Sequence, residues 1–285
     1  MIDIIIPCFN AHNSLPMTLN SIIIQSIKSK VKVLLVDDCS DNNYNDIVKK
    51  YSKYIDISEI RLEENSGPGI ARQIGIDNTN SDYIMFIDSD DILFNYNTLE
   101  VLYNEIESGY DHVNSIEYDE KRESYLILNG NIHGKIYRRK YLLDNNIRFN
   151  NTRYHEDNFF NNHVVLSGAR TSLLYICTYY YTYNKESITN NNSKEFDRLE
   201  IYLKNMNDLI DLVYKLNYSK YRLARFKREK YRYLKRIYKT FTDSEKETFK
   251  KWIQKYDSDF LSFIELDEDA FYEKLDKYLD EIIKD

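Results

Sequence analysis

Four apolar runs in the first ninety residues, each separated from the next by one helix-length amphipathic segment, leave few folds open to this chain. The runs are IDIIIPC (2–8), VKVLLVDD (31–38), ISEIRLE (57–63) and DYIMFIDSDD (82–91). A near-continuous β-branched run reads as a strand buried on both faces, and such strands belong to parallel sheets. Single helices between them predict right-handed βαβ crossovers. The intervening helices are expected near 15–23, 46–54, 70–78 and 97–107. The first would bury Leu15, Leu19, Ile22 and Ile23 and be capped from Asn13 or Ser14. With only 7 Gly and 3 Pro in 285 residues, collagen-like and turn-dense all-β folds are excluded, and 42% apolar residues suffice for a real core.

Past residue 110 the pattern loosens. HVNSIEY (112–118) and SYLILNG (124–130) read as strands, 140–145 and 157–167 as helices, and 170–184 as one or two strands. Residues 195–285 contain neither Gly nor Pro and keep helical spacing throughout. The fold class expected is α/β, a mostly parallel Rossmann-like sheet with flanking helices, followed by a mostly helical extension. The expected division is 1–193, as halves 1–110 and 111–193, and 194–285, with NNNS at 190–193 as the linker candidate. Within the extension, residues 218–241 hold 10 basic residues and 1 acidic, whereas 243–285 hold 14 acidic and 7 basic. The basic stretch interleaves aromatics, a composition that suits an anionic membrane surface, a nucleic acid, or the acidic helices that follow it in this chain or a second copy. Docking within the chain is the simplest of these, and self-association its variant. Tyrosines at helical spacing read as core residues whose hydroxyls reach solvent.

Cys8, Cys39 and Cys177 are too few and too scattered for a disulfide framework or a thiolate metal site. Met1 leads straight into the first apolar run, without the basic segment and cleavage site of a secretory leader, and no run approaches a membrane span. A cytoplasmic protein, at most peripheral at the inner membrane face, is the expectation.

In open α/β sheets ligands bind at the carboxyl ends of the strands. Here those ends read Pro7-Cys8-Phe9-Asn10, Asp37-Asp38 and Asp88-Ser89-Asp90-Asp91. One such Asp is ordinarily a turn former. Three acids in four residues after a buried run need a neutralising cation, and oxygen donors suit Mn²⁺ or Mg²⁺. An incompletely ligated metal leaves positions for phosphate oxygens, so a metal–diphosphate ligand follows.

IIIPCFNA (4–11), VLLVDDCSDNN (33–43), ENSGPGIARQIGI (64–76), YIMFIDSDD (83–91), HGKIYRRKYLLDNNIRF (133–149) and YHEDNFF (154–160), in this order and spacing, together resemble the family 2 glycosyltransferases of the GT-A fold. The resemblance covers about 1–190. It implies an inverting, metal-dependent transfer of a sugar from a nucleotide-sugar donor, a UDP-sugar first, to an acceptor hydroxyl. It implies that Pro7, Phe9 and Asn10 line the nucleobase pocket, that Asp38 accepts from a uracil-type base, that Gly67 gives close backbone approach, and that Arg72 faces the nucleotide. Asp88 and Asp90 would meet the nucleotide, and Asp90 and Asp91 the metal, with the division among the three acids left open. His133 is a candidate metal or diphosphate ligand, though a lone His is more often structural. His155 is a weaker contact candidate, and His12 and His112 read as surface residues. Arg138 and Arg139 fit either phosphate contact or a solvated helix face. Asp157, in the Glu156-Asp157 pair opening a helix, is implied as general base; without the resemblance the pair reads equally as a helix cap. Cys39 and Gln73 stand where the family has Gly and Asn. A nucleotidyltransferase-like enzyme is the first rival, against which counts the missing glycine-rich cationic loop after the first strand. A non-catalytic nucleotide-sugar-binding module is the second, against which count the intact acids. The acceptor, whether glycan, lipid, protein or modified nucleic acid, is not readable.

Overall fold

A computed structural model describes residues 1–127, 130–184 and 195–284. The elements of the first part are β1 (Ile2–Cys8), α1 (Leu15–Ile23), β2 (Val31–Asp37), α2 (Asn45–Tyr51), β3 (Asp56–Arg61), α3 (Pro68–Asn78), β4 (Tyr83–Phe86), β5 (Ile92–Leu93), α4 (Thr98–Glu107), β6 (His112–Asp119), β7 (Ser124–Leu126), β8 (Ile136–Arg138), α5 (Arg139–Asp144), α6 (Glu156–Leu166) and β9 (Thr171–Tyr181). Among the described residues the strands form one nine-stranded sheet in the order β3-β2-β1-β4-β8-β6-β9-β5, with β7 added on β6. The first four strands are parallel, Ile4 lying between Val33 and Met85. β8 is antiparallel to both β4 and β6, and β9 runs parallel to β6.

Alternation along β1 sets the two faces. Ile4 and Ile6 join Leu15, Leu19, Leu99 and Leu102 under α1 and α4. Ile5 joins Ala71, Phe86 and Phe160 under α3 and α6. All are essentially removed from water, the Ile, Leu and Phe side chains each contributing roughly 1.5–3 kcal/mol by burial. Ser14 precedes α1 as expected, but its hydroxyl donates back to the Ala11 carbonyl and caps nothing. Residues 136–138, given no element from the sequence, form the short β8. Only three residues long, that strand is too brief to show a period, and its place is set by β4 and β6 on either side.

His112, expected at the surface, is buried and stacked on Tyr137 with centroids 4.9 Å apart. Its Nε2 has no hydrogen-bond partner, and burial, helped by Lys135, pushes its pKa down from 6.5 to about 3. The unfolded chain takes up this proton near pH 6.5 and the folded chain only near 3, so stability is lost as pH falls through that window. His112→Phe keeps the stacking and removes the titration. Urea unfolding curves should therefore show wild type losing stability between pH 6.5 and 4 faster than the variant; parallel losses would exclude His112 as a source.

The chain divides into two compact units, 1–165 with 169–190, and 166–168 with 191–285. The expected linker at 190–193 lies outside the described residues. The second unit holds α7 (Glu195–Lys215), α8 (Lys220–Tyr238), α9 (Asp243–Tyr256), α10 (Ser258–Ile264) and α11 (Glu268–Lys284). Thr242 and Glu245 close a capping box at the start of α9. The opposite charges of the two segments meet within the unit: Lys230 pairs with Asp257 at 2.7 Å, Arg228 with Asp276 at 2.8 Å, and Lys227 with Tyr278 and Asp259. The Lys235 ammonium is taken up by the carbonyls of Phe263, Ile264 and Leu266. Tyrosines do fill this core, but their hydroxyls find carboxylates rather than solvent. Tyr231 donates to Asp257, Tyr238 to Glu265 and Tyr278 to Asp259, because a buried phenol needs an acceptor.

Candidate active site

The carboxyl ends of β1, β2 and β4 lie side by side on the sheet edge, since Cys8 pairs with Asp37 and Ile5 with Phe86. After β1, the Phe9 ring is 53% exposed and has no core to fill. Asn10 takes up a left-handed backbone (φ 51°) and its side-chain oxygen accepts from the Asp41 N–H. Cys39 also sits at positive φ (63°), the conformation that explains the family's Gly there. After β2, Asp37 is buried against Arg61 at 2.7 Å. Asp38 uses both carboxylate oxygens on the Ser66 and Gly67 N–H groups, at 2.7 and 2.8 Å, and so ties this edge to the turn before α3. Each oxygen keeps a further lone pair.

Beyond β4 the acids separate by environment. Asp88 is gripped by Arg72 at 2.6 Å and by His133 Nε2 at 3.2 Å. Burial would raise its pKa, but the Arg72 and His133 charges win and hold it well below the usual range. Asp91 is fully buried, accepting from Tyr179 Oη at 2.7 Å and the Thr182 N–H at 2.8 Å. Burial, with Asp88 and Asp90 nearby, drives its pKa well upward against the pull of His133. Asp90 turns to the Asn184 amide at 2.9 Å. Donor atoms of Asp88, Asp91 and His133 all lie within 4.8 Å of one another. Of the candidates Asp90, Asp91 and His133, two lie in this group together with Asp88, while Asp90 is bonded to Asn184. A turn follows Phe86, so sequence spacing does not decide which carboxylates converge. Two carboxylates and an imidazole fit Mn²⁺ better than Mg²⁺, which prefers an all-oxygen set.

Arg72, on α3, is 4% exposed and joins this cluster to the helix that opens with Glu156-Asp157. Its guanidinium bonds Asp88 on one side and Glu156 Oε1, at 2.9 Å, on the other. Arg72 therefore faces carboxylates rather than open solvent. Burial and the adjacent Asp157 push Glu156 up to about 7, against the pull of Arg72. Asp157 is half-buried at the first turn of α6, its Oδ1 accepting from the Asn158 N–H at 2.7 Å. Just ahead, His155 holds a left-handed backbone, φ 61°.

Residues the motifs did not single out complete the site. Tyr179 lies flat on His133, centroids 4.8 Å apart and planes within 1°, while its hydroxyl reaches Asp91 and the Asp88 N–H. Glu117 and Lys135 are both buried beside His133, and burial pulls Lys135 down to about 7. A lysine between Gly134 and the apolar Ile136-Tyr137 was the available signal for the latter; Glu117 offered none. Arg138 turns away from the site, its guanidinium bonding the Ile106 and Tyr110 carbonyls and packing on Tyr83. His12 is half-buried on Tyr44 at 4.2 Å. Among the described residues no helix is long and apolar enough to cross a membrane.

Curated relatives include the poly(ribitol-phosphate) β-N-acetylglucosaminyltransferase TarS of Staphylococcus aureus (strain Mu50), 30% identical over 205 residues, 65% of this chain and 36% of TarS. Another is the minor teichoic acid biosynthesis protein GgaA of Bacillus subtilis (strain 168), 29% identical over 214 residues, 65% of this chain and 48% of GgaA. The chain thus spans between a third and a half of the length of these relatives. Among solved structures, TarS 1–349 with UDP-GlcNAc superposes with a TM-score of 0.68 at 24% identity, covering 79% of this chain and 71% of that one, which establishes the GT-A fold. The pattern of the glycosyl transferase family 2 matches residues 3–167, the stretch that supplies every strand-end acid, Arg72, His133 and the Glu156-Asp157 pair, and the chain belongs to that family.

Proposed function

We propose that this chain is an inverting glycosyltransferase that moves a sugar from a UDP-sugar to an acceptor hydroxyl, with Asp157 as general base. The observation that carries the reading is the convergence of Asp88, Asp91 and His133 at one strand end, joined through Arg72 to the helix start bearing Asp157. Asp88, Asp91 and His133 would hold Mn²⁺, which when bound stabilises negative charge growing on the diphosphate leaving group. The exposed Phe9 ring offers a stacking face for the nucleobase, and Asp38 has lone pairs left for its N–H. The acceptor oxygen attacks the anomeric carbon, its proton passes to the Asp157 carboxylate, and the bond from that carbon to the diphosphate oxygen breaks, releasing UDP. One displacement inverts the anomeric configuration. The names of TarS and GgaA point to a cell-wall glycopolymer as the acceptor class.

Thermal unfolding tests the donor side. UDP and Mn²⁺ together should raise Tm more than the sum of their separate shifts, since each ligand adds RT ln(1 + [L]/Kd) and a metal held beside the diphosphate would lower the Kd of both. A response to nucleoside triphosphates with none to UDP and Mn²⁺ would favour the nucleotidyltransferase reading instead. Release of UDP from a panel of UDP-sugars then identifies the sugar.

A further inference from the structure

His133 would be useful as a ligand only if its ring is held still, and the structure surrounds it with parts suited to that. Its Nε2 faces Asp88, while its Nδ1 is buried without a hydrogen bond and lies 3.5 Å from Glu117 Oε2, an ion-pair contact. The same Oε2 accepts from Asn131 Nδ2 at 2.7 Å. The other end of that amide accepts from Lys135 Nζ at 3.0 Å and from the His133 N–H at 3.2 Å, so the amide orientation is determined by its partners. Tyr179 and Tyr181 close the ring faces.

The backbone builds this cradle. The β6–β9 register slips between Ile116 and Glu117, which pair with Cys177 and Tyr179, so one residue of β9 is skipped. Such a bulge re-aims side chains, and here it sets Glu117 opposite the tyrosine that stacks on His133. Gly134 follows at φ +62°, and a Cβ there would sit 2.9 Å from Ser115 Oγ and 3.1 Å from Thr178 Oγ1. Only glycine makes this turn without displacing its neighbours.

We propose that Glu117 is a positioning residue, which together with Asn131 and Lys135 orients the His133 imidazole so that Nε2 is presented to a metal beside Asp88 and Asp91. A carboxylate on the far nitrogen of a ligating histidine fixes its tautomer and raises its basicity, and its loss costs 10–100-fold in metal affinity as an order of magnitude. The inference rests on the metal reading above but assigns a residue that touches neither metal nor donor.

Mn²⁺ binding in the presence of UDP, followed by electron paramagnetic resonance, separates the two. Wild type should bind, and Asp88→Asn should abolish binding. Glu117→Gln should raise the Mn²⁺ Kd by about 10–100-fold while metal-free UDP affinity and far-UV circular dichroism stay unchanged. Glu117→Asp should recover part of the loss, which a merely structural role does not require. Asn131→Ser, at a half-buried loop position, should weaken Mn²⁺ in the same direction and stands in if Glu117→Gln fails to fold. A Kd within twofold of wild type for folded Glu117→Gln, or for Asn131→Ser in its stead, overturns the positioning role alone. Absence of Mn²⁺ binding by wild type overturns this proposal and the metal reading together.

Discussion

Asp157→Asn should lower kcat about 100- to 10,000-fold, the range for losing a general base, while leaving UDP and Mn²⁺ affinity within a factor of two. The substitution is nearly isosteric and keeps Oδ1 as an acceptor for the Asn158 N–H, now 2.7 Å away, so the first turn of α6 should survive. What it removes is the proton acceptor. Steady-state kinetics beside a UDP titration separates the two effects, and a loss under tenfold would sink the base assignment. The adjacent Glu156 could compensate, but it is buried and bound to Arg72, which keeps it from an incoming hydroxyl.

Arg72→Ala should cost about 3–5 kcal/mol of stability, the range for removing one partner of a buried ion pair. Arg72 is the link between two elements far apart in sequence, bonding Asp88 after β4 and Glu156 at the start of α6. Without it the buried Glu156 and the partly buried Asp88 are left beside other acids. Glu156, already raised to about 7, would rise further, and Asp88 would lose the charge that does most to hold it low, so the folded variant would bind more protons than the folded wild type does at the same pH. Relative to wild type the variant therefore loses stability as pH rises, and its deficit narrows toward acid pH. Urea unfolding at pH 5 and pH 8 measures both the size and the slope. A deficit below 1 kcal/mol at pH 8 would mean the guanidinium does not hold these acids together.

The legible parts of the sequence and the hidden ones differ in range of interaction. β1 to β4 and their helices announce themselves because apolar runs and amphipathic periods are local, and the acids at their ends mark the ligand edge of the sheet. β8 and the two-residue β5 carry no period of their own and exist because of their neighbours. His112 reads as a polar surface residue, yet lies buried on Tyr137, because its place is decided by β6 pairing with β8 and β9. For the basic stretch of α8, docking within the chain is the simplest reading of the sequence, and Lys227, Lys230 and Lys239 do meet acids of α10, the turn between α9 and α10, and α11; which acid each one meets is decided by the packing of these helices.

From its sequence alone the chain was committed to the parallel β1–β4 part of an α/β sheet, acids at those strand ends and the Glu156-Asp157 pair, since all three follow from local pattern and motif order. Tertiary structure decided which acids converge. Asp88 rather than Asp90 meets Asp91 and His133, Arg72 ties that cluster to α6, and Glu117 comes behind His133 through a β-bulge. Distances of a few ångströms between groups tens of residues apart depend on strand register and turn geometry, and neither is written in the spacing of the residues concerned.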